Sequence, residues 1–150
     1  RRAGYAVFEQ QLQLAIRQRT VLTIALLDLD TFKNINDQFG HQVGDRALRL
    51  ASDTFRSRLR ASDTLMRWGG EEFLLLMPDT SLSAGLNVCE ELRQQLEIAN
   101  LKASGRRIPL TVSAGLAACP EHGKSIKNLV QSADKALYRA KSLGRNRIIG

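Results

Sequence analysis

An α+β sandwich, with helices flanking a mainly antiparallel sheet, is the fold class this sequence predicts. Three observations carry that prediction. Stretches with helical apolar spacing alternate with short runs that are apolar throughout. Two of those runs flank the double glycine Gly69-Gly70 closely enough to form an antiparallel hairpin. The 150 residues are 43% hydrophobic and carry no linker, repeat or low-complexity tract, which suits one domain with its own core.

The elements follow in order. Residues 5–18 read as a helix, with Val7, Phe8, Leu12, Leu14 and Ala15 at roughly helical spacing. Residues 21–27 form a strand apolar on both faces, hence a central one, ended by Asp28-Leu29-Asp30. Residues 31–38 read as a short helix that Gly40 can close. Residues 45–58 form a longer amphipathic helix with Ala47, Leu48, Leu50, Ala51 and Phe55 inward. Residues 64–68 and 73–77 are the hairpin strands. Residues 83–99 are a helix with Leu86, Val88, Cys89, Leu92 and Leu96 on or near one stripe. After the turn Ala103-Ser104-Gly105, residues 108–118 read as one strand. Residues 125–142 are a helix whose apolar positions, from Ile126 to Ala140, recur every 3.6 residues, with Ser125 to cap its start and Gly144 its end. Arg147-Ile148-Ile149 adds a last short strand.

Composition narrows the function. No apolar run approaches the ~20 residues a membrane-spanning helix needs, and no signal peptide is visible. Cys89 and Cys119 lack metal-ligand spacing and read as reduced, packed thiols of a cytoplasmic protein. A net charge of +7 suits an anionic partner such as a nucleotide or nucleic acid. The basic residues are scattered, and aromatics at 5% offer little for stacking against single strands, so nucleic acid is not expected as the partner.

Several acidic and basic residues stand where chemistry can use them. Glu71 and Glu72 follow the double glycine at the mouth of a turn beside a core strand, and Asp28 ends another buried strand. Carboxylates placed there need a cation, and oxygen-only ligands favour Mg²⁺ or Mn²⁺. Taken alone, Glu71 and Glu72 also fit a solvated hairpin turn, and Asp28 a strand-end acid capping the next helix. Asp30 sits where a helix N-cap belongs. The helix start at Thr31-Phe32-Lys33 offers backbone amides and a lysine to phosphate. Lys141 and Arg145, four apart across a helix end, either clamp outer phosphates or balance the helix dipole. Asn36 and Asp45 can read a guanine edge, although Asp45 equally fits a helix-start acid.

Three separated motifs then meet in one family. They are Asp28-Leu29-Asp30-Thr31-Phe32-Lys33-Asn34-Ile35-Asn36-Asp37 with Phe39-Gly40-His41 and Gly44-Asp45; Gly69-Gly70-Glu71-Glu72-Phe73; and Ala133 to Lys141 with Gly144-Arg145-Asn146. In that order and spacing they resemble the GGDEF domain of diguanylate cyclases over nearly the whole chain. The resemblance implies a palm-like fold akin to nucleotidyl cyclases and the condensation of two GTP into cyclic di-GMP by a homodimer. It implies Asp28, the Leu29 carbonyl and Glu71 as metal ligands, with Glu72 for a second ion. Glu71 becomes the base and Lys33 the transition-state cation, with Thr31, Phe32 and Lys33 around phosphate. Asn36 and Asp45 become guanine readers, with His41 nearby, and Lys141 and Arg145 the γ-phosphate clamp. Arg60 and Asp63 resemble the family's RxxD inhibitory site for product. A chain that opens at Arg1-Arg2, without the stretch that usually precedes it in this family, is expected to be a single catalytic domain excised from a longer regulated protein. The alternative implied is a non-catalytic receptor for cyclic di-GMP or GTP.

Overall fold

The computed structural model describes residues 2–150. The chain runs α1 (Arg2–Gln18), β1 (Leu22–Leu29), α2 (Phe32–Phe39), α3 (His41–Arg56), β2 (Thr64–Arg67), β3 (Glu72–Pro78), α4 (Leu82–Glu97), β4 (Leu101–Ala103), β5 (Arg106–Ile108), β6 (Val112–Cys119), α5 (Ile126–Ser142) and β7 (Ile148–Ile149). The main sheet has the order β2-β3-β1-β6-β7. Its neighbours are antiparallel except β6 and β7, which run parallel. The expected α+β architecture is the one observed.

The apolar runs explain the layering. Every residue of β1 and of β6 is buried, because helices cover both faces of the sheet. Side chains alternate across a strand, so each strand feeds two cores. Ala25, Leu27 and Leu29 join Phe73, Leu75, Ala114 and Leu116 beneath α3 and α4. Ile24 and Leu26 join Leu74, Leu76 and Ala117 beneath α1 and α5. Asp28 belongs to the second set, so its carboxylate emerges on the α5 side.

Gly115 sets how closely α5 approaches. A Cβ there would overlap the Ala133 carbonyl oxygen and the Leu137 amide nitrogen, both backbone atoms. Helix backbone therefore lies directly on strand backbone, a contact only glycine permits. That approach carries the last turn of α5 over the end of β1.

Three features differ from the sequence expectation. Helix α3 begins at His41, because Gly40, with φ 91°, ends α2 and opens α3 at once with no side-chain cap. Asp45 thus lies inside the helix and caps nothing. The stretch read as one strand from residue 108 divides instead. Its start pairs with β4 as a small hairpin around Ser104 and Gly105, whose φ angles are 52° and 74°. Thirdly, Asp30 is no N-cap: Thr31 holds that position with φ 55° and no side-chain cap bond. The Ser125 cap is as expected, its side chain accepting from the Asn128 amide at 3.1 Å. Both cysteines are buried and unpaired. Burial pushes the Cys89 thiol up to about 12, which leaves it inert. No helix among the described residues is long and apolar enough to cross a membrane.

Candidate functional site

One end of the sheet gathers the acids. Asp28 pairs across β1 with Glu72 on one side and Ser113 on the other. The Leu29 amide donates to the Glu71 carbonyl at 3.2 Å, which fixes Glu71 beside them. Amides of Trp68 and Gly69 donate to the Glu72 carbonyl at 2.8 and 3.3 Å, and the Arg67 guanidinium donates to the Gly69 and Gly70 carbonyls at 3.3 and 2.6 Å. The double-glycine turn is therefore tied down by backbone bonds and by the Arg67 side chain, which fixes where the two acids stand.

Lys141 reaches this corner from α5, its Nζ donating to Asp28 Oδ2 at 2.7 Å. Burial raises the Asp28 pKa; the Lys141 bond opposes this, and the charges of Glu71 and Asp30 add to it. Burial also raises Glu72, helped by the charges of Asp28 and Asp134. Crowded, desolvated carboxylates of this kind demand positive charge. The all-oxygen donor set fits a hard divalent cation, and the Lys141 ammonium adds one positive charge on Asp28. Among the described residues, no three His, Cys, Asp or Glu side chains already converge as a metal cluster.

The raised values make a stability prediction. An acid held above its ordinary pKa, 4.5 for Glu72, binds more protons folded than unfolded, so its cost is absent below that value and grows as pH rises above it. Glu72→Gln is therefore expected to raise the melting temperature modestly at pH 7 without divalent ions. Well below the ordinary value it should have no such effect. Calorimetry at the two pH values checks this.

Asp30 is the residue sequence reasoning misplaced. It is 5% exposed. Its carboxylate accepts from Thr111 Oγ1 at 2.8 Å, Ser113 Oγ at 2.7 Å and the Asn146 amide at 3.0 Å. All three donors lie far along the chain, so no local signal could have found them.

The remaining predicted residues divide into groups. Thr31, Phe32 and Lys33 open α2 directly beyond β1, where first-turn amides have no intrahelical acceptor. Asn36, on α2, packs over Gly44 of α3 so tightly that a Cβ at Gly44 would overlap its Oδ1. Asp45 follows at once and opens onto a groove of about 320 Å³ shared with Leu48, Arg49, Ser52, Arg67 and Phe73. His41 is exposed at the start of α3. Beside the acids, a cleft of about 620 Å³ is lined by Glu72, Gln131, Asp134, Lys135, Tyr138 and Lys141, among others. Arg145 lies past the end of α5, its amide donating to the Ala140 carbonyl at 3.0 Å.

Arg60 and Asp63 stand elsewhere. Arg60 Nη2 donates to Asp63 Oδ1 at 2.9 Å, to the Pro78 carbonyl at 3.0 Å and to Thr80 Oγ1 at 2.8 Å. Pro78 is six residues along β3 from Glu72, so this pair lies roughly 20 Å from the acids at strand spacing.

A family model described as "Diguanylate cyclase, GGDEF domain" matches residues 1–147. Diguanylate cyclase A of Treponema denticola is 40% identical over 131 residues, 87% of this chain and 35% of that protein. Diguanylate cyclase DgcP of Pseudomonas aeruginosa is 41% identical over 140 residues, 93% of this chain and 21% of that protein. The chain thus spans about a third or less of these curated relatives. Among solved structures, the active GGEEF domain of a diguanylate cyclase from Vibrio cholerae superposes with a TM-score of 0.92 at 32% identity, covering 99% of this chain and 94% of that one. The GGDEF domain of DgcB from Caulobacter crescentus, in complex with c-di-GMP, gives 0.92 at 31% identity, covering 99% and 88%.

Proposed function

The chain belongs to the diguanylate cyclase GGDEF-domain family, and from that premise we propose that it joins two GTP molecules into cyclic di-GMP, releasing two pyrophosphates, as a pair of identical copies. The observation that supports this best is the corner where the family's three motifs meet: Asp28 beside Glu72 in the sheet, with Lys141 on Asp28 at 2.7 Å.

Each copy holds one GTP. Asn36 and Asp45 read the guanine, with His41 beside them. Thr31 and Phe32 amides and Lys33 take the inner phosphates, and Lys141 and Arg145 take the γ-phosphate. Lys141 exchanges its Asp28 contact for phosphate when nucleotide binds. Asp28, the Leu29 carbonyl, Glu71 and Glu72 would hold Mg²⁺ or Mn²⁺, which supplies charge neutralisation and a more acidic 3′-hydroxyl. Glu71 accepts the proton of that hydroxyl as it bonds to the α-phosphorus held by the other copy. The bond to pyrophosphate breaks, and Lys33 stabilises the charge that develops. Aligning two nucleotides is worth ~7 to 11 kcal/mol of the barrier. Arg60 and Asp63 bind product and restrain turnover from their separate position.

Because one copy holds half of the reactants, activity per molecule should rise steeply with protein concentration. Incubation with GTP and Mg²⁺ at several concentrations, followed by detection of cyclic di-GMP, tests this. A strictly first-order dependence on enzyme would count against the paired site. Gly44→Ala should push out the Asn36 carboxamide and raise KM for GTP roughly tenfold, the cost of one lost polar contact. Crowding against Asn36 and the Phe32 ring should lower melting by a few degrees, partly offset by alanine's preference for the helix. An unaltered KM would separate Asn36 from guanine recognition.

A further inference from the structure

Asp30 is a buried carboxylate that the mechanism above does not use, yet it joins two segments that the mechanism does use. It directly precedes Thr31, the first residue of the phosphate cradle. Through its 3.0 Å bond to the Asn146 amide it holds the residue that directly follows Arg145.

The segment it holds is strained. Gly144, Arg145 and Asn146 all have positive φ, at 121°, 64° and 49°. Glycine adopts such angles without cost and asparagine at little cost, but arginine does not. They persist only where the surroundings over-determine them. Here the restraints come from two sides. Asp30 grips the Asn146 backbone. From α4, Arg93 Nη1 donates to Asn146 Oδ1 at 3.0 Å, and Glu97 Oε2 accepts from Asn146 Nδ2 at 2.6 Å. Arg93 is itself held by Glu90, at 2.9 Å through Nε. Thr111 and Ser113 complete the Asp30 shell, so its position is fixed by the sheet. The Arg145 side chain lies exposed outside this lock.

A buried carboxylate is costly and an apolar residue could fill the same space. What an apolar residue could not do is accept the amide of a left-handed residue and so fix the backbone next to Arg145. We propose that Asp30 is a positioning residue for the outer phosphate. It registers the Arg145 loop against the Thr31–Lys33 cradle, so that the site selects a nucleoside triphosphate over a diphosphate. This rests on the nucleotide reading given above.

The test compares binding of guanosine 5′-(βγ-methylene)triphosphate and GDP, each with Mg²⁺, by titration calorimetry. Asp30→Asn and Asn146→Gly are the informative variants; the latter keeps the left-handed backbone at no cost while losing the ties to Arg93 and Glu97. Each should weaken the triphosphate analogue about tenfold, the loss of one charge-assisted contact, and GDP less than twofold. In an Arg145→Ala background, Asp30→Asn should have no further effect, because both changes remove the same contact. Equal losses for both nucleotides, or additive effects with Arg145→Ala, would overturn the proposal and leave Asp30 a packing residue. Should Asp30→Asn fail to fold, Thr111→Val, which removes a hydroxyl that fixes Asp30 Oδ2, takes its place with the same expected selectivity loss. A wild-type protein that shows this selectivity but makes no cyclic di-GMP would sink the cyclase reading and leave the lock standing.

Discussion

Glu71→Ala should abolish synthesis of cyclic di-GMP, lowering turnover by ~10²- to 10⁴-fold as loss of a general base does, while product still binds at Arg60 and Asp63. The separation follows from the sheet. Glu71 sits at the double-glycine turn, and the Arg60–Asp63 pair sits by Pro78 at the far end of β3. A change at one end leaves the other end's hydrogen bonds intact. Turnover measured by chromatography and product binding by calorimetry read the two ends independently. Undiminished synthesis would remove Glu71 from the chemistry. A wild-type protein that binds product but never turns over would favour the receptor reading.

The second large effect is on the fold. Gly115→Ala should cost about 3 kcal/mol or more, because its Cβ meets backbone atoms of α5 that cannot rotate away. For a chain of this length that lowers the melting temperature by roughly 6 to 12 °C. Gly70→Ala is the control: a Cβ there meets nothing within 4 Å, and stability should hardly move. At temperatures where Gly115→Ala remains folded, α5 must still stand off from β6, which carries Lys141 away from Asp28. Turnover should then fall further than the folded fraction does. Equal melting temperatures for the two variants would show that α5 can shift without cost.

Where the sequence could be read, the reason was periodicity. The apolar runs in β1 and β3 announced burial on both faces, and the 3.6-residue spacing in α5 gave its inner face. Local rules failed where distant residues decide. Asp30 has the local look of an N-cap, but hydroxyls of β6 and the Asn146 amide claim its carboxylate. Asp45 looked like a helix-start acid because the helix was read as opening at residue 45. Gly44 is instead buried in α3, where its missing side chain makes room for Asn36. The hairpin of β4 and β5 escaped notice because three residues per strand show no period, and the apolar character continues past Pro109 into β6. The residues proposed for metal, phosphate and guanine were nameable from their motifs. That Lys141 meets Asp28 was not, since the two lie 113 residues apart.

The sheet closes on one side with four-residue β2 and on the other with two-residue β7. Rims so short offer almost nothing for another chain to zip onto, which is one way proteins avoid sticking edge to edge. Two copies of this domain therefore have no ready route to a permanent, continuous sheet. In the proposed reaction that is an advantage, because a cyclic dinucleotide closed between two proteins must be let go. A pair that meets only through its loop-bearing ends can part after each product. Its output then follows how often copies collide, so that any device bringing them together acts as a throttle.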